Sequence, residues 1–399
     1  MSNFDINPLK LREIILNTRE PIVLKQFNLN WSCLQDGLAG WCKTFDVSNS
    51  SGAIFERISK RDSWEPQWER KRQKILMTGE QFLKEHNKDC DYWSALNYKR
   101  IHELPGNCTN GIDFSAFGFP QAADDATLWL SSSGANTPCH YDSYGCNIVV
   151  QAFGKKSWLL FPPNTPLTTT RIPYEESSIY CKENLYSPFL DVNAFVEKYK
   201  GLAHHVILEP NDVLIVPKHW WHYVEALDIS LSVNAWIPLE CDLEQQIEEC
   251  IVKYLIENFI KDCSPTTRKY VMNPNQLMTG SSSNELFKIL KYLLEKSSEN
   301  NLTAKKETTL YDYHYISKSN VDQLLKECTN CINVSSITSK ELENLLKTNS
   351  LRYSADAEMN SKECSLGFLE EILINSICSP HIVEAIKKEF FKRYKQENL

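Results

Sequence analysis

The sequence predicts an α+β fold: an antiparallel barrel or jelly roll over residues 126–240, with a helix and a sheet-extending segment before it and a helical region after it. Two patterns carry this. Short apolar and β-branched runs alternate with Gly, Pro and Asn/Asp through the middle of the chain, as closely spaced antiparallel strands require. After Trp236 the spacing changes, and Leu243, Ile247, Ile251, Tyr254, Leu255 and Phe259 recur at helical intervals.

Taken in order, residues 7–20 read as a helix stopped at Arg19-Glu20-Pro21, and Pro21–Lys25 as a strand that adds to the sheet. Trp64, Trp68 and Trp93, set among charged residues, are expected to cover the barrel and shape its mouth. Ala126–Ser133 is a strand ending at Gly134, and Cys146–Phe153 is another. Gly154-Lys155-Lys156 turns into Ser157–Phe161, which Pro162-Pro163 stops. The polar stretch 163–178 is a candidate substrate lid. Glu209–Asp212 is a turn, Val213–Val216 a buried strand, and Pro217–His222 a tight link into Tyr223–Leu227; Ser230–Trp236 closes the series. Beyond it, helices are expected at 242–261, 284–296, 319–328, 339–347 and 366–394, with 297–309 and 350–364 as polar loops. The domain reading is therefore 1–125 as N-terminal helices and sheet-extending segments, 126–240 as the strand core, and 241–399 as the helical region.

His140-Tyr141-Asp142 is the most informative motif. Residues i and i+2 of a strand project to the same side, so His140 and Asp142 can bind one metal while Tyr141 points away. His222, at a strand start and expected to face His140 across the barrel mouth, supplies a third ligand. Two histidines and one carboxylate on one face hold Fe(II) and leave the opposite positions open for a co-substrate and O2. His-x-Asp alone is a weak signal, common in surface turns; the strands around it and the later His222 give it weight.

Composition agrees with an enzyme of one large and one smaller domain: 399 residues, 42% of them hydrophobic. No run of 18 apolar residues is present and Met1–Asp5 lacks the basic start of a signal peptide, so no membrane association and a cytoplasmic location are expected, with the nucleus also open. The 14 cysteines are scattered without a small-scaffold spacing and are expected as reduced thiols. Cys328-x-x-Cys331 lacks the second pair of a zinc site and reads better as a polar helix end. Cys139 and Cys146 flank the metal motif, where packing is the simpler role. A formal charge of −8 argues against a nucleic-acid surface, which needs clustered cations; the one dense basic patch, Arg70–Lys74, reads as a solvated face. His204 and His205 fall on opposite strand faces and cannot both line the site, and His219 belongs to the turn before the ligand strand.

Thr137-Pro138-Cys139-His140-Tyr141-Asp142, Gly154-x-Lys156 followed by Phe161-Pro162-Pro163, and Pro217-x-x-Trp220-Trp221-His222 together resemble the JmjC cupin-type 2-oxoglutarate oxygenases. The resemblance covers about residues 10–240 and implies the double-stranded β-helix, or jelly-roll cupin, of the JmjC type. It implies Fe(II) on His140, Asp142 and His222, with 2-oxoglutarate and O2 as co-substrates. Thr137 matches a hydroxyl that touches the distal carboxylate of 2-oxoglutarate, and Lys156 matches the cation that pairs with it, Lys155 lying on the opposite face. Asn147 and Asn234 match amides near metal and co-substrate, although hydrogen-bonded strand amides are an equally good reading. Tyr92 sits where a tyrosine reaches the distal carboxylate; Tyr98 shares its strand parity, and either ring could be core. The implied activity is hydroxylation of a protein side chain, with demethylation less favoured because no chromatin-reading module is present. The alternative is a catalytically weak or inactive scaffold for a protein partner. Ser115–Pro120, Thr170–Ser178 and His219–Glu225 match a branch of the family associated with small heat shock proteins, which implies a partner of that kind. A homodimer through the C-terminal helices is the further possibility, against packing within one chain. A metal-dependent hydrolase or isomerase would leave Lys156 without a function.

Overall fold

The structure is a computed structural model that describes residues 7–27, 29–59, 73–86, 91–169, 178–272, 282–302, 317–328, 330–351 and 368–397. The elements of its first half are α1 (Pro8–Asn17), β1 (Ile22–Leu24), α2 (Gly37–Ser48), β2 (Ala53–Ser59), β3 (Gln73–Met77), α3 (Gly79–His86), β4 (Tyr92–Arg100), α4 (Gly106–Thr109), β5 (Thr127–Ser131), β6 (Asn136–Asp142), β7 (Cys146–Phe153) and β8 (Lys156–Phe161). There follow β9 (Ser178–Tyr180), α5 (Val192–Lys198), β10 (His204–Leu208), β11 (Val213–Val216), β12 (Trp221–Ala226) and β13 (Ser230–Ile237). The remainder is α6 (Asp242–Phe259), α7 (Pro265–Met272), α8 (Ser283–Leu302), α9 (Lys318–Glu327), β14 (Cys331–Asn333), α10 (Ser339–Ser350), α11 (Phe368–Ile377) and α12 (Pro380–Glu397). Residues 1–167, 183–239 and 313–357 form one compact unit; residues 168–182, 240–312 and 358–399 form another.

The first unit is the jelly roll. Its larger sheet runs β14-β1-β11-β7-β13-β5-β4-β2-β3 and its smaller sheet carries β10-β8-β12-β6, with antiparallel pairing throughout. Residues of both sheets meet in one core, with Val23, Val149, Leu214 and Val216 from the larger against Trp158, Leu160, Leu208 and Val224 from the smaller. Strand β7 is buried at every position but its last, which is why Cys146–Phe153 reads as a continuous apolar run rather than an alternating one. Helix α1 covers the sheet near the start of β7: Leu11, Ile14 and Ile15 are buried, and the Cys146 thiol donates to the carbonyl of Ile15 at 3.6 Å. Asn7 caps that helix by accepting from Leu9 N–H at 2.9 Å, and Pro8 pre-sets its first turn. Strand β1 joins the sheet beside β11, as expected, and Asp212, almost fully buried, pairs with Lys25 and accepts from Gln26 and Glu209 N–H.

Gly154 makes the turn that delivers Lys156 to β8. Its φ is +64°, and a Cβ there would collide with the carbonyl of Ile229 and the carboxylate of Asp228, so no other residue fits. Pro162 then ends the strand.

The second unit is helical. Val252, Ile256 and Ile260 pack with Val271, Ile374, Cys378 and Val383; Ile247, Cys250 and Ile251 pack with Leu286, Leu290, Leu293 and Leu294. Lys387 of α12 is buried within this unit and ion-paired to Glu244 and Glu248 of α6 and to Glu384.

Three expectations are corrected here. The single helix at 366–394 is two, α11 and α12, because Pro380 cannot extend a helix but suits its first turn. Helix α7 falls in a stretch with no apolar periodicity and was not foreseen. The Cys328–Cys331 segment is not only a helix end: Cys328 caps α9, and Cys331 opens β14, which pairs with β1 at the sheet edge. Trp64, Trp68, Arg70–Arg72 and residues 170–177 of the candidate lid lie outside the described residues; Trp93 is buried.

Candidate metal and co-substrate site

His140 and Asp142 stand on one face of β6, and His222 on β12. All three are nearly buried, and one ligand atom from each lies within 4.8 Å of the others, the one such group among the described residues. The His140 and His222 rings are 4.2 Å apart, and His140 Nε2 is 3.8 Å from Asp142 Oδ1. Each imidazole donates Nδ1–H to a backbone carbonyl, of Pro138 and of Trp220, both at 2.8 Å. A carbonyl can only accept, so the tautomer is fixed and each Nε2 lone pair is left for a metal. Burial, and then the neighbouring His222, hold His140 down at about 4 against the pull of Asp142. It is therefore neutral at pH 7, as ligation requires.

His222 does not face His140 across the mouth. The two are Cα partners on adjacent antiparallel strands; the long connection between β6 and β12 hides this neighbourhood from the sequence. Tyr141 points away and packs edge-on to Trp221 and beside His219.

Asp142 is held from behind. Its Oδ2 accepts from Trp236 Nε1–H at 2.9 Å and from Asn147 Nδ2 at 3.4 Å. Asn147 Oδ1 accepts from Asn234 at 2.8 Å, and Asn234 Oδ1 accepts from Trp129 Nε1–H at 2.7 Å. Asn147 and Asn234 are thus both hydrogen-bonded strand amides and neighbours of the carboxylate.

A cavity opens along the same strands, lined by Thr137, Lys156, Trp93, Ala95, Trp129 and Ser131 among others. Lys156 is buried, and its ammonium donates to Ser232 Oγ at 2.7 Å, its one partner among the described residues. Burial alone pulls its pKa down to about 7. Lys155 is exposed and pairs with Glu209 at 2.6 Å, as strand parity predicts.

Tyr92 is not brought to the cavity. Its ring lies under the Arg57 guanidinium, half exposed, and the next residue, Trp93, faces inward instead. Tyr98 is not core either: it is 52% exposed, at φ +52° in a β4 bulge, with its ring against Trp129 and Trp236. Sequence reasoning also missed Trp129, Trp236 and Ser232. Their signal was available, since Ser232, Asn234 and Trp236 share one face of β13 by period two.

His205 bonds Ser157 Oγ at 2.8 Å and His204 packs against Trp220, so neither belongs to the triad. Cys139 and Cys146 are buried.

A jelly roll presenting a His-Asp-His group on its inner strands defines the cupin-like class, and the chain belongs to that family: the cupin-like domain matches residues 8–240. Among individual proteins it is similar to HSPB1-associated protein 1 of Bos taurus, 36% identical over 291 residues, covering 68% of this chain and 59% of that protein. The Homo sapiens protein of the same name is 35% identical, with 68% and 58% covered. More distantly, Lysine-specific demethylase 8 of Xenopus tropicalis is 25% identical over 247 residues, 56% of this chain and 49% of that protein. The chain spans about three fifths of the length of the HSPB1-associated relatives it matches. Among the described residues no helix is long and apolar enough to cross a membrane.

Proposed function

We propose that the chain is an Fe(II)- and 2-oxoglutarate-dependent oxygenase that hydroxylates a protein side chain, in the cytoplasm or nucleus. The observation that carries this is Lys156: a buried ammonium whose one partner among the described residues is the Ser232 hydroxyl, in a cavity that Glu56 also lines and that the strands holding the triad help to form. An isolated buried cation is costly, and a ligand carboxylate relieves that cost. The donor set fits the metal equally well, being two imidazoles and one carboxylate, each with its own hydrogen-bond partner behind it.

His140, Asp142 and His222 would hold the iron, and Lys156, Ser232 and Thr137 the distal carboxylate of 2-oxoglutarate. When bound, metal and co-substrate supply oxidative decarboxylation to succinate and CO2, coupled to oxygen insertion into a substrate C–H. The chain's own part is to keep His140 neutral, to turn both Nε2 atoms toward the metal, to hold Asp142 by one oxygen, and to line the cavity with Trp93 and Trp129 against water.

The test is succinate release from 2-oxoglutarate by Fe(II)-loaded protein. Wild type is expected to turn over slowly without substrate and His140→Ala not at all; equal turnover by both removes the triad from the mechanism. A second reading, a scaffold for a small heat shock protein, is favoured by the names of the HSPB1-associated relatives. It takes precedence if folded, metal-loaded wild type binds purified HSPB1 yet makes no succinate. Demethylation draws support only from the names of more distant relatives that match smaller shares of the chain. A homodimer would use Phe287, Ile289 and Tyr292, which α8 leaves exposed.

A further inference from the structure

We propose that Trp236 is the positioning residue for the metal carboxylate, and that Trp129, Asn234 and Asn147 tie that carboxylate to the wall of the Lys156 cavity. The inference rests on the oxygenase reading and deepens it.

A carboxylate has two oxygens, and a metal site with open positions needs it to bind by one. At Asp142 the choice is made by hydrogen bonds. Oδ2 accepts the Trp236 indole N–H at 2.9 Å and the Asn147 amide at 3.4 Å, while Oδ1 is the oxygen turned toward His140. The indole donor is placed by the sheet, since Trp236 sits in β13 opposite Asn147 of β7 and its ring lies against Tyr98. Asn147 is oriented in turn: its Oδ1 takes Asn234 Nδ2, which leaves its own Nδ2 for Asp142. Asn234 is oriented by Trp129, and Trp129 is a wall of the cavity that holds Lys156. Each amide in this chain has one arrangement consistent with its neighbours. A ligand that packs on Trp129 therefore stiffens the chain that ends at Asp142. Tyr98 gives the assembly its cover. Its left-handed backbone is unfavourable for a tyrosine, and the bulge that imposes it places the ring against both indoles.

The experiment is anaerobic titration with Co(II), followed by its visible d–d bands, with and without 2-oxoglutarate. The proteins are wild type, Trp236→Phe, Trp129→Phe and Asp142→Ala, each checked by its metal-free melting curve. Trp236→Phe keeps the ring and loses the donor. It is expected to bind Co(II) about tenfold more weakly and to show weakened bands, because a released Oδ2 can also bind the metal and raise its coordination number. Trp129→Phe, which deletes the donor to Asn234 at the far end of the chain, is expected to weaken Co(II) binding less than Trp236→Phe does and to lose most of the gain in affinity that 2-oxoglutarate gives. Wild-type affinity and band shape in Trp236→Phe overturn the inference while leaving the oxygenase reading intact. Failure of wild type to bind Co(II) overturns the reading beneath it. Should Trp236→Phe not fold, the indole N–H resonances of wild type decide. That of Trp236 is expected to move on Zn(II) addition, while those of Trp31 and Trp41, which donate to the carbonyls of Asp113 and Cys108, stay; an unmoved Trp236 signal overturns the inference.

Discussion

An ammonium held by one hydroxyl, as at Lys156, makes a pH dependence of definite sign. With its pKa near 7 in the folded chain against 10.5 for a free lysine, the group is charged in both folded and unfolded states below pH 7, and the cost of burying it is felt in full. Between pH 7 and 10.5 the unfolded chain holds the proton that the folded chain has shed, so stability rises with pH. Lys156→Met is therefore expected to raise the stability of the ligand-free protein at pH 7, by a margin that closes toward pH 10.5. Denaturant melts across that range check it; a margin independent of pH contradicts it. Co-substrate binding runs the other way, because only the charged form pairs with a carboxylate. Affinity for 2-oxoglutarate should fall about tenfold per pH unit above 7, and Lys156→Met should weaken it at pH 7 by about 2 kcal/mol, roughly thirtyfold. At this scale the shared face of His140 and Asp142 was legible from strand parity and their grouping with His222 agrees with the expectation, while Thr137 and Lys156, which came from the family resemblance, both line the cavity. Tyr92 does not, because a shift of one residue turns a strand's side chains over, and the structure gives that place to Trp93.

Turns and helix ends set what each element can tolerate. Gly154→Ala forces a left-handed backbone on alanine and drives its Cβ into Ile229, so a loss of about 2 kcal/mol is expected by denaturant melt, with weaker 2-oxoglutarate binding as β8 shifts. In the helical unit, Lys387 is buried among three glutamates whereas Lys388 is exposed. Lys387→Ala should cost about 2 kcal/mol, and Lys388→Ala less than about 0.5 kcal/mol; equal effects would show that the cluster contributes nothing. Strands β1, β5, β7, β8, β11, β12 and β13 and the helices α6, α8, α9 and α10 were legible from period and punctuation; β2 and β3 were not, and α8 continues to Leu302 through residues expected to start a polar loop. The break at Pro380 needed the weight of one residue against an otherwise continuous pattern. Strand β14 was invisible because three residues carry no period, and their partner β1 lies about 300 positions away.

Across the whole molecule, metal and co-substrate binding should appear as stability. A ligand that binds only the folded state at 100 times its dissociation constant adds about 2.7 kcal/mol, so Fe(II) with 2-oxoglutarate should raise the wild-type melting temperature under anaerobic conditions and leave His140→Ala unmoved. The order of strands, with β12 beside β6 rather than across the barrel from it, is a property of the closed fold. Local sequence names the candidate ligands, and topology alone makes them neighbours. The central claim, that this neighbourhood binds Fe(II) and 2-oxoglutarate together, is tested most directly by titrating 2-oxoglutarate anaerobically into the Fe(II)-loaded protein and watching for a visible metal-to-ligand charge-transfer band. The band is expected in wild type and absent in Asp142→Ala; its absence from folded, iron-loaded wild type, or its persistence without Asp142, would contradict the account.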